Sequence, residues 1–181
     1  MNNRLSRARS FRRVDDYEAV KELAIRAGLD VVDKSVEDIV AAFGYYIGES
    51  LMATAALERE DGQLFLEWVA VDSSIRMRGV GASLVAMVED EARTHGMKEL
   101  WAKARIPEFY RRIGFRILEK DEIGPKTLEG CVDCPEFGTS CNPAIVVRDL
   151  GDDIPVPSAY SSAPRIIQVE KSGAKSGPNR I

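Results

Sequence analysis

LEWVAVDSSIRMRGVGASLVAMVEDEA, residues 66–92, carries three patterns in one unbroken run. With Leu64 and Phe65 ahead of it, its opening is apolar on both faces, which predicts a buried central strand over 64–71. Its second half repeats at helical spacing. Leu84, Val85, Val88 and Ala92 form one stripe while Glu89, Asp90 and Arg93 face away, so a helix is expected from about 79 to 94. Between the two lies Arg76-Met77-Arg78-Gly79-Val80-Gly81. A strand, a glycine-bearing turn and a helix N-terminus in that order make an anion site. The free N–H groups of the first helical turn point outward, and the macrodipole adds about half a positive charge. Gly79 and Gly81 have no side chain to keep a phosphate off the backbone, and Arg76 and Arg78 add charge. The stretch suits a pyrophosphate.

A dinucleotide fingerprint would need a third glycine where this chain has Leu84, and a P-loop would need Gly-Lys-Ser or Gly-Lys-Thr. What stands here is R-x-x-G-x-G, as Arg76, Gly79 and Gly81. Upstream, residues 10–14 read as a strand. Asp15-Asp16 and Glu18 then open a helix whose Tyr17, Val20, Leu23, Ala24 and Ala27 share a face and which stops at Gly28. Ser35 and Asp38 repeat the capping signal before Val36, Ile39, Val40 and Phe43, predicting a second short helix that yields to strand at Gly44. Residues 45–47 and 51–58 read as strands around the turn 48–50, and Asp61-Gly62 is a hairpin signal ahead of the central strand. Downstream come a strand over 100–104, a short helix opened by Pro107 and closed by Gly114, and strands over 115–118 and 144–148.

The hexapeptide resembles the acyl-coenzyme A signature of the GCN5-related N-acetyltransferases (GNAT). Residues 66–92 are similar to that family's central strand, loop and helix. Phe109-Tyr110-Arg111-Arg112-Ile113-Gly114-Phe115 resembles its F-Y-x-x-x-G-F segment at the expected distance, and the order of elements matches its topology over about 10–150. The resemblance implies an α/β (α+β) fold: a central mixed, mostly antiparallel twisted sheet flanked by helices, with a splayed central strand. It implies an acetyltransferase domain over 1–150 that moves an acetyl group from acetyl-CoA to a primary amine by direct attack in a ternary complex. In that family the pantetheine arm fills the gap where the central strand leaves its neighbour at a bulge. This places Val69 and Val71 along the arm, and Arg76, Met77, Arg78, Gly79, Val80, Gly81 and Ala82 around the pyrophosphate.

Two side chains are candidates for proton transfer. An amine is protonated at neutral pH, so something must accept a proton. Glu67 stands on the central strand, on the face of Val69 and Val71 if alternation holds, and reads either as that base or as a strand carboxylate paired with an arginine. Tyr110 matches the family's usual tyrosine. A phenol holds its proton at pH 7 and can give it to the departing thiolate; otherwise it is packing beneath the cosubstrate. His95, the only histidine, sits beside a helix-ending glycine and reads as an exposed cap.

The chain has 181 residues, enough to bury a core without staples, and a net charge of −4, which argues against nucleic acid as a partner. No apolar run reaches the length needed to span a bilayer. The first fourteen residues hold five arginines and no acid, but no apolar stretch of a secretory signal. They read as a targeting segment or, more plainly, as a basic first strand. A cytoplasmic protein follows. Cys131, Cys134 and Cys141 are an odd count for a disulfide framework. Their spacing suggests either a structural zinc site, with Asp133 or a second chain's cysteine as fourth ligand, or three reduced thiols in a loop over 131–141. From 151 onward, proline, serine, glycine and lysine predict a mostly disordered tail in which only 165–169 has strand character. A small-molecule acceptor such as an amino acid is expected. A protein N-terminus or lysine, a non-catalytic acyl-CoA-binding regulator and a homodimer stay open.

Overall fold

The computed structural model describes residues 8–29, 31, 35–60, 62–76, 78–123, 128, 131 and 134–151. In chain order the elements are β1 (Arg9–Val14), α1 (Tyr17–Arg26), β2 (Ile39–Ile47), β3 (Ser50–Glu60), β4 (Gln63–Val71), a 3-10 turn (Ser73–Ile75), α2 (Val80–Thr94), β5 (Glu99–Ala104), α3 (Pro107–Arg112), β6 (Arg116–Ile117) and β7 (Ala144–Asp149). They build one seven-stranded sheet ordered β1-β2-β3-β4-β5-β7-β6. Every neighbouring pair is antiparallel except β4 and β5. This is the mixed, mostly antiparallel sheet flanked by helices that the family resemblance implies.

Alternation along β2, β3 and β4 divides the core in two. Phe43, Tyr45, Ala53, Ala55, Leu57 and Leu66 meet Leu84, Val85 and Val88 of α2 on one face. Ala42, Tyr46, Ala56 and Trp68 meet Val20, Leu23 and Ala24 of α1 on the other. Asp16 caps α1, accepting from the Ala19 N–H at 3.2 Å.

The expected helix over 36–43 is not there. Ser35 Oγ accepts from the Glu37 N–H at 3.1 Å and Val36 O from the Ile39 N–H at 3.2 Å, so the capping signal makes a turn. The chain then enters β2 at Ile39, and Gly44 lies mid-strand. β2 is flanked by β1 and β3 and covered by both helices, so it is apolar throughout, and a continuous apolar run does not distinguish strand from helix by period. Glu89 is a second correction. It does not face solvent but is 5% exposed and pairs with Arg148 of β7. The strand expected over 115–118 shortens to β6. The tail from 152, with its 165–169 segment, lies outside the described residues, as do residues 1–7.

Candidate active site

β4 and β5 pair at a single position, Phe65 with Trp101. β4 continues alongside β3 to the pair Ala53–Val71. Beyond Phe65, therefore, no strand among the described residues pairs with the β5-facing edge of β4 around Val69 and Val71. Opposite β3 the register slips. Ala56 faces Glu67 and Thr54 faces Ala70, leaving Trp68 and Val69 against Ala55 alone. Trp68 sits at φ +57°, the one non-glycine with positive φ among the described residues. This is a β-bulge, and it resets the alternation. Leu66, Val69 and Val71 all lie on the α2 side, whereas Trp68 and Ala70 lie on the α1 side. Glu67 is out of phase with Leu66 and so does not share a face with Val69 and Val71, contrary to simple alternation.

The open edge leads into the turn. Asp72 caps the 3-10 turn, its Oδ1 accepting from Ser74 N–H at 2.9 Å and Ser74 Oγ–H at 2.6 Å, and these bonds hold its carboxyl below the usual range. Arg76 donates from Nε to Val71 O at 3.2 Å and from Nη2 to Ala27 O at 3.4 Å. Its guanidinium thus ties the turn to β4 and to the end of α1. Arg78 is exposed, with no ion pair among the described residues. Met77 lies outside them. Gly79 caps α2 at φ +74° with open space around it, so its role is conformational. Gly81 differs. A Cβ there would touch Phe109 at 3.4 Å and Val71 at 3.5 Å, so its bare face packs inward on α3 and β4. The N–H groups of Val80, Gly81 and Ala82 are in the first turn of α2 and have no intrahelical partner.

Tyr110, on α3, is 8% exposed, with Phe109 and Phe115 edge-on at 5.1 and 5.5 Å between ring centres. Burial first, then the charge of Glu67, pushes its phenol above the ordinary tyrosine range. The fold thus brings the two proton-transfer candidates within electrostatic reach and keeps Tyr110 protonated at neutral pH.

A family model for the acetyltransferase (GNAT) family matches residues 9–115, more than half of the chain. The chain belongs to the GNAT acetyltransferase family. Family membership carries acetyl-CoA-dependent N-acetyl transfer with it. The acetyltransferase is 22% identical over 151 residues to an uncharacterized N-acetyltransferase, CT2212, of Chlorobaculum tepidum, covering 82% of this chain and 94% of that one. Among solved structures it is similar to N-acetylglutamate synthase of Neisseria gonorrhoeae complexed with coenzyme A and N-acetyl-glutamate (TM-score 0.63, 20% identity, 80% of this chain, 36% of that one). It therefore spans about a third of that synthase. A GNAT acetyltransferase of Elizabethkingia anophelis with acetyl-CoA bound is also similar (TM-score 0.59, 15% identity, 78% of this chain, 97% of that one).

Across the slot that opens between β4 and β5 beyond Phe65, this acetyltransferase has a layer that motif reading missed. Arg105, at the end of β5, donates to Gly28 O at 3.0 Å and pairs with Glu136 of the cysteine loop at 3.0 Å. Lys103 pairs with Glu60 at 2.6 Å and lies over the Phe65 ring. The loop is stitched by its own backbone, Cys134 N–H to Cys131 O at 3.0 Å and Cys141 N–H to Glu136 O at 2.9 Å. Cys131 feels the charges of Lys103 and Glu67, although burial dominates and pushes its thiol up. All three cysteines are half-buried, and none is in a disulfide among the described residues. Among the described residues no group of three or more Cys, His, Asp or Glu is gathered to hold a metal. Zinc on Cys131, Cys134 and Cys141 therefore finds no support in the geometry, and Asp133 lies outside the described residues. His95 is the C-cap of α2, pairing with Glu91 at 3.5 Å. It lines a cleft of about 870 Å³ with Arg59, Gln63, Lys98 and Glu99, at the opposite end of β4 and α2 from the turn.

No helix among the described residues is long and apolar enough to cross a membrane.

Proposed function

We propose that this enzyme acetylates the primary amine of a small molecule, with an amino acid such as glutamate the leading candidate. The observation that carries this is the β4 edge around Val69 and Val71, which no described strand pairs on the β5 side and which leads to the N-terminus of α2, with the charge of Glu67 acting on the Tyr110 phenol beside it. Backbone groups around Val69 and Val71 would pair with the amides of the pantetheine arm. The N–H groups of Val80, Gly81 and Ala82, with Arg78 and the Arg76-braced turn through Met77 and Gly79, would hold the pyrophosphate. Glu67, directly or through a water, accepts a proton from the ammonium group. The free amine then adds to the thioester carbon, and a β4 N–H steadies the oxyanion, a contribution of about 3–4 kcal/mol for one donor. The C–S bond breaks as Tyr110 gives its proton to the sulfur; the second amine proton, relayed through water, returns to the phenolate, and Glu67 releases its proton to solvent.

Two features support a small acceptor. The cysteine loop is fastened over this side by Arg105, which narrows the approach for a protein chain. The Neisseria gonorrhoeae neighbour was solved with N-acetyl-glutamate. The reading includes a cytoplasmic location, no nucleic-acid or membrane partner, and a homodimer through the edge strand β6, whose Ile117 is exposed. Sedimentation as a monomer would remove the dimer. A turnover screen of amino acids and peptides, read as release of free coenzyme A thiol, tests the acceptor. Release with a free amino acid is expected; release only with peptides would overturn it. Glu67→Gln should move the acid limb of the pH–rate profile, and an unmoved limb would remove Glu67 as base.

A further inference from the structure

Trp68 is held in left-handed backbone, φ +57°. That region is costly for a bulky side chain because Cβ crowds the following carbonyl oxygen, so the surroundings must impose it. The indole is 2% exposed and packs in the α1-side cluster with Ala56 and Ala70. Its Nε1–H donates to Oε2 of Glu58. Glu58 is on β3, 6% exposed, and lies across from Phe65, the last position at which β4 still pairs with β5. The burial of both groups makes loss of either partner costly.

We propose that Glu58 and Trp68 form a pin that holds the β4 bulge, and with it the unpaired edge that receives the pantetheine arm, making Glu58 a positioning residue for acetyl transfer. This rests on the slot as read above. The bulge inserts one residue, and a one-residue change turns every following side chain and backbone group of a strand to the other side. With the pin in place, Trp68 points to α1 while Val69 and Val71 point to α2. Without it, a straightened β4 would turn Trp68 toward α2 and aim a different set of N–H groups at the gap. The pyrophosphate turn has its own anchors, Asp72 on Ser74 and Arg76 on Val71 O and Ala27 O. Loss of the pin should therefore injure the arm and the thioester end of the site and spare the phosphate end.

The test compares two ligands by calorimetry: coenzyme A, and 3′-phosphoadenosine 5′-diphosphate, which has the pyrophosphate but no pantetheine. Glu58→Leu and Trp68→Phe should each weaken coenzyme A binding about tenfold, the size of a lost buried hydrogen bond, while the fragment's affinity moves by less than about twofold. Turnover should fall with the loss of coenzyme A affinity. Glu58→Gln, whose amide oxygen still accepts from the indole, should recover most of both. The double variant should be no worse than the worse single one, because the two residues act as a pair. Trp68→Phe keeps an aromatic ring in place and carries the test if Glu58→Leu does not fold. Equal weakening of both ligands, or a folded Trp68→Phe with unchanged coenzyme A affinity and turnover, would overturn the pin. Failure of the slot itself gives a different result, wild-type protein binding coenzyme A no better than the fragment.

Discussion

Arg148→Met removes a guanidinium from the interior. Its Nε is 3.2 Å from Glu89 Oε1, with the two side chains 4% and 6% exposed, and its Nη1 donates to the Ile113 carbonyl at 2.5 Å. The pair ties α2 and β7 to the end of α3, the helix that carries Tyr110. Burial pushes the Glu89 carboxyl up, opposed by Arg148 and then Arg93. Removing Arg148 leaves Glu89 with Arg93, whose Nη2 is 3.8 Å away and whose side chain is 37% exposed. Breaking a buried pair from one side costs about 3–5 kcal/mol, and the residual help of Arg93 places this case near the lower figure, about 3. At roughly 2–4 °C per kcal/mol for a domain of this size, Tm should fall by about 6–12 °C. Glu89→Met with Arg148→Met replaces the pair by apolar volume and should recover most of the loss. In the single variant the Glu89 carboxyl rises further. A raised acid favours the folded state below its unfolded pKa and loses that advantage as pH rises, so the deficit should narrow from about pH 7 to 5. Urea unfolding of the three proteins at both pH values measures this. A single variant within about 1 kcal/mol of wild type, or a double variant as unstable as the single, would refute the reasoning.

Tyr110→Phe keeps the ring between Phe109 and Phe115 and should lower turnover by about one to three decades with acetyl-CoA affinity nearly intact; wild-type turnover would reduce Tyr110 to packing. The raised phenol also stabilises the fold below about pH 10, where unfolded tyrosine titrates, and this contribution fades as pH rises further, so wild type should lose stability above that pH more steeply than Tyr110→Phe. Gly79→Ala should cost about 1–2 kcal/mol through its φ of +74° and weaken coenzyme A, whereas Gly81→Ala, whose Cβ meets neighbours at 3.4–3.6 Å, should be nearly neutral in stability; equal costs would contradict the assigned roles. Protein prepared without an affinity tag should hold less than about half an equivalent of zinc per chain, and Cys131 should alkylate more slowly than an unhindered thiol because its thiolate is disfavoured; stoichiometric zinc would restore the metal site.

The strand–turn–helix of 66–92 was legible because each part is encoded locally. A Gly at a helix entry, an apolar stripe at helical spacing and Pro107 at the start of α3 act through neighbours in the chain. Tyr110 stood out through the F-Y-x-x-x-G-F segment and Glu67 through its place on the central strand, whereas the action of the Glu67 charge on the phenol came only with the fold. Residues 36–43 misled because β2 is covered on both faces, which erases the alternation that identifies a strand. Glu89 misled because charge on a helix usually means solvent, and its partner Arg148 lies on the last strand.

The sequence by itself determined where backbone freedom and helix dipole would meet, and named Glu67 and Tyr110 as candidates for proton transfer. Only the tertiary structure decided which way Glu67 faces, since a bulge depends on register against β3 and on the indole of Trp68 reaching Glu58. It alone also tied the described part of the cysteine loop to the end of β5 and to Gly28 after α1, through Arg105 on Glu136 and Gly28 O. These pairings join residues far apart in the chain, and no local pattern encodes them, because their energy comes from desolvation and contact that exist only once the sheet has closed around them.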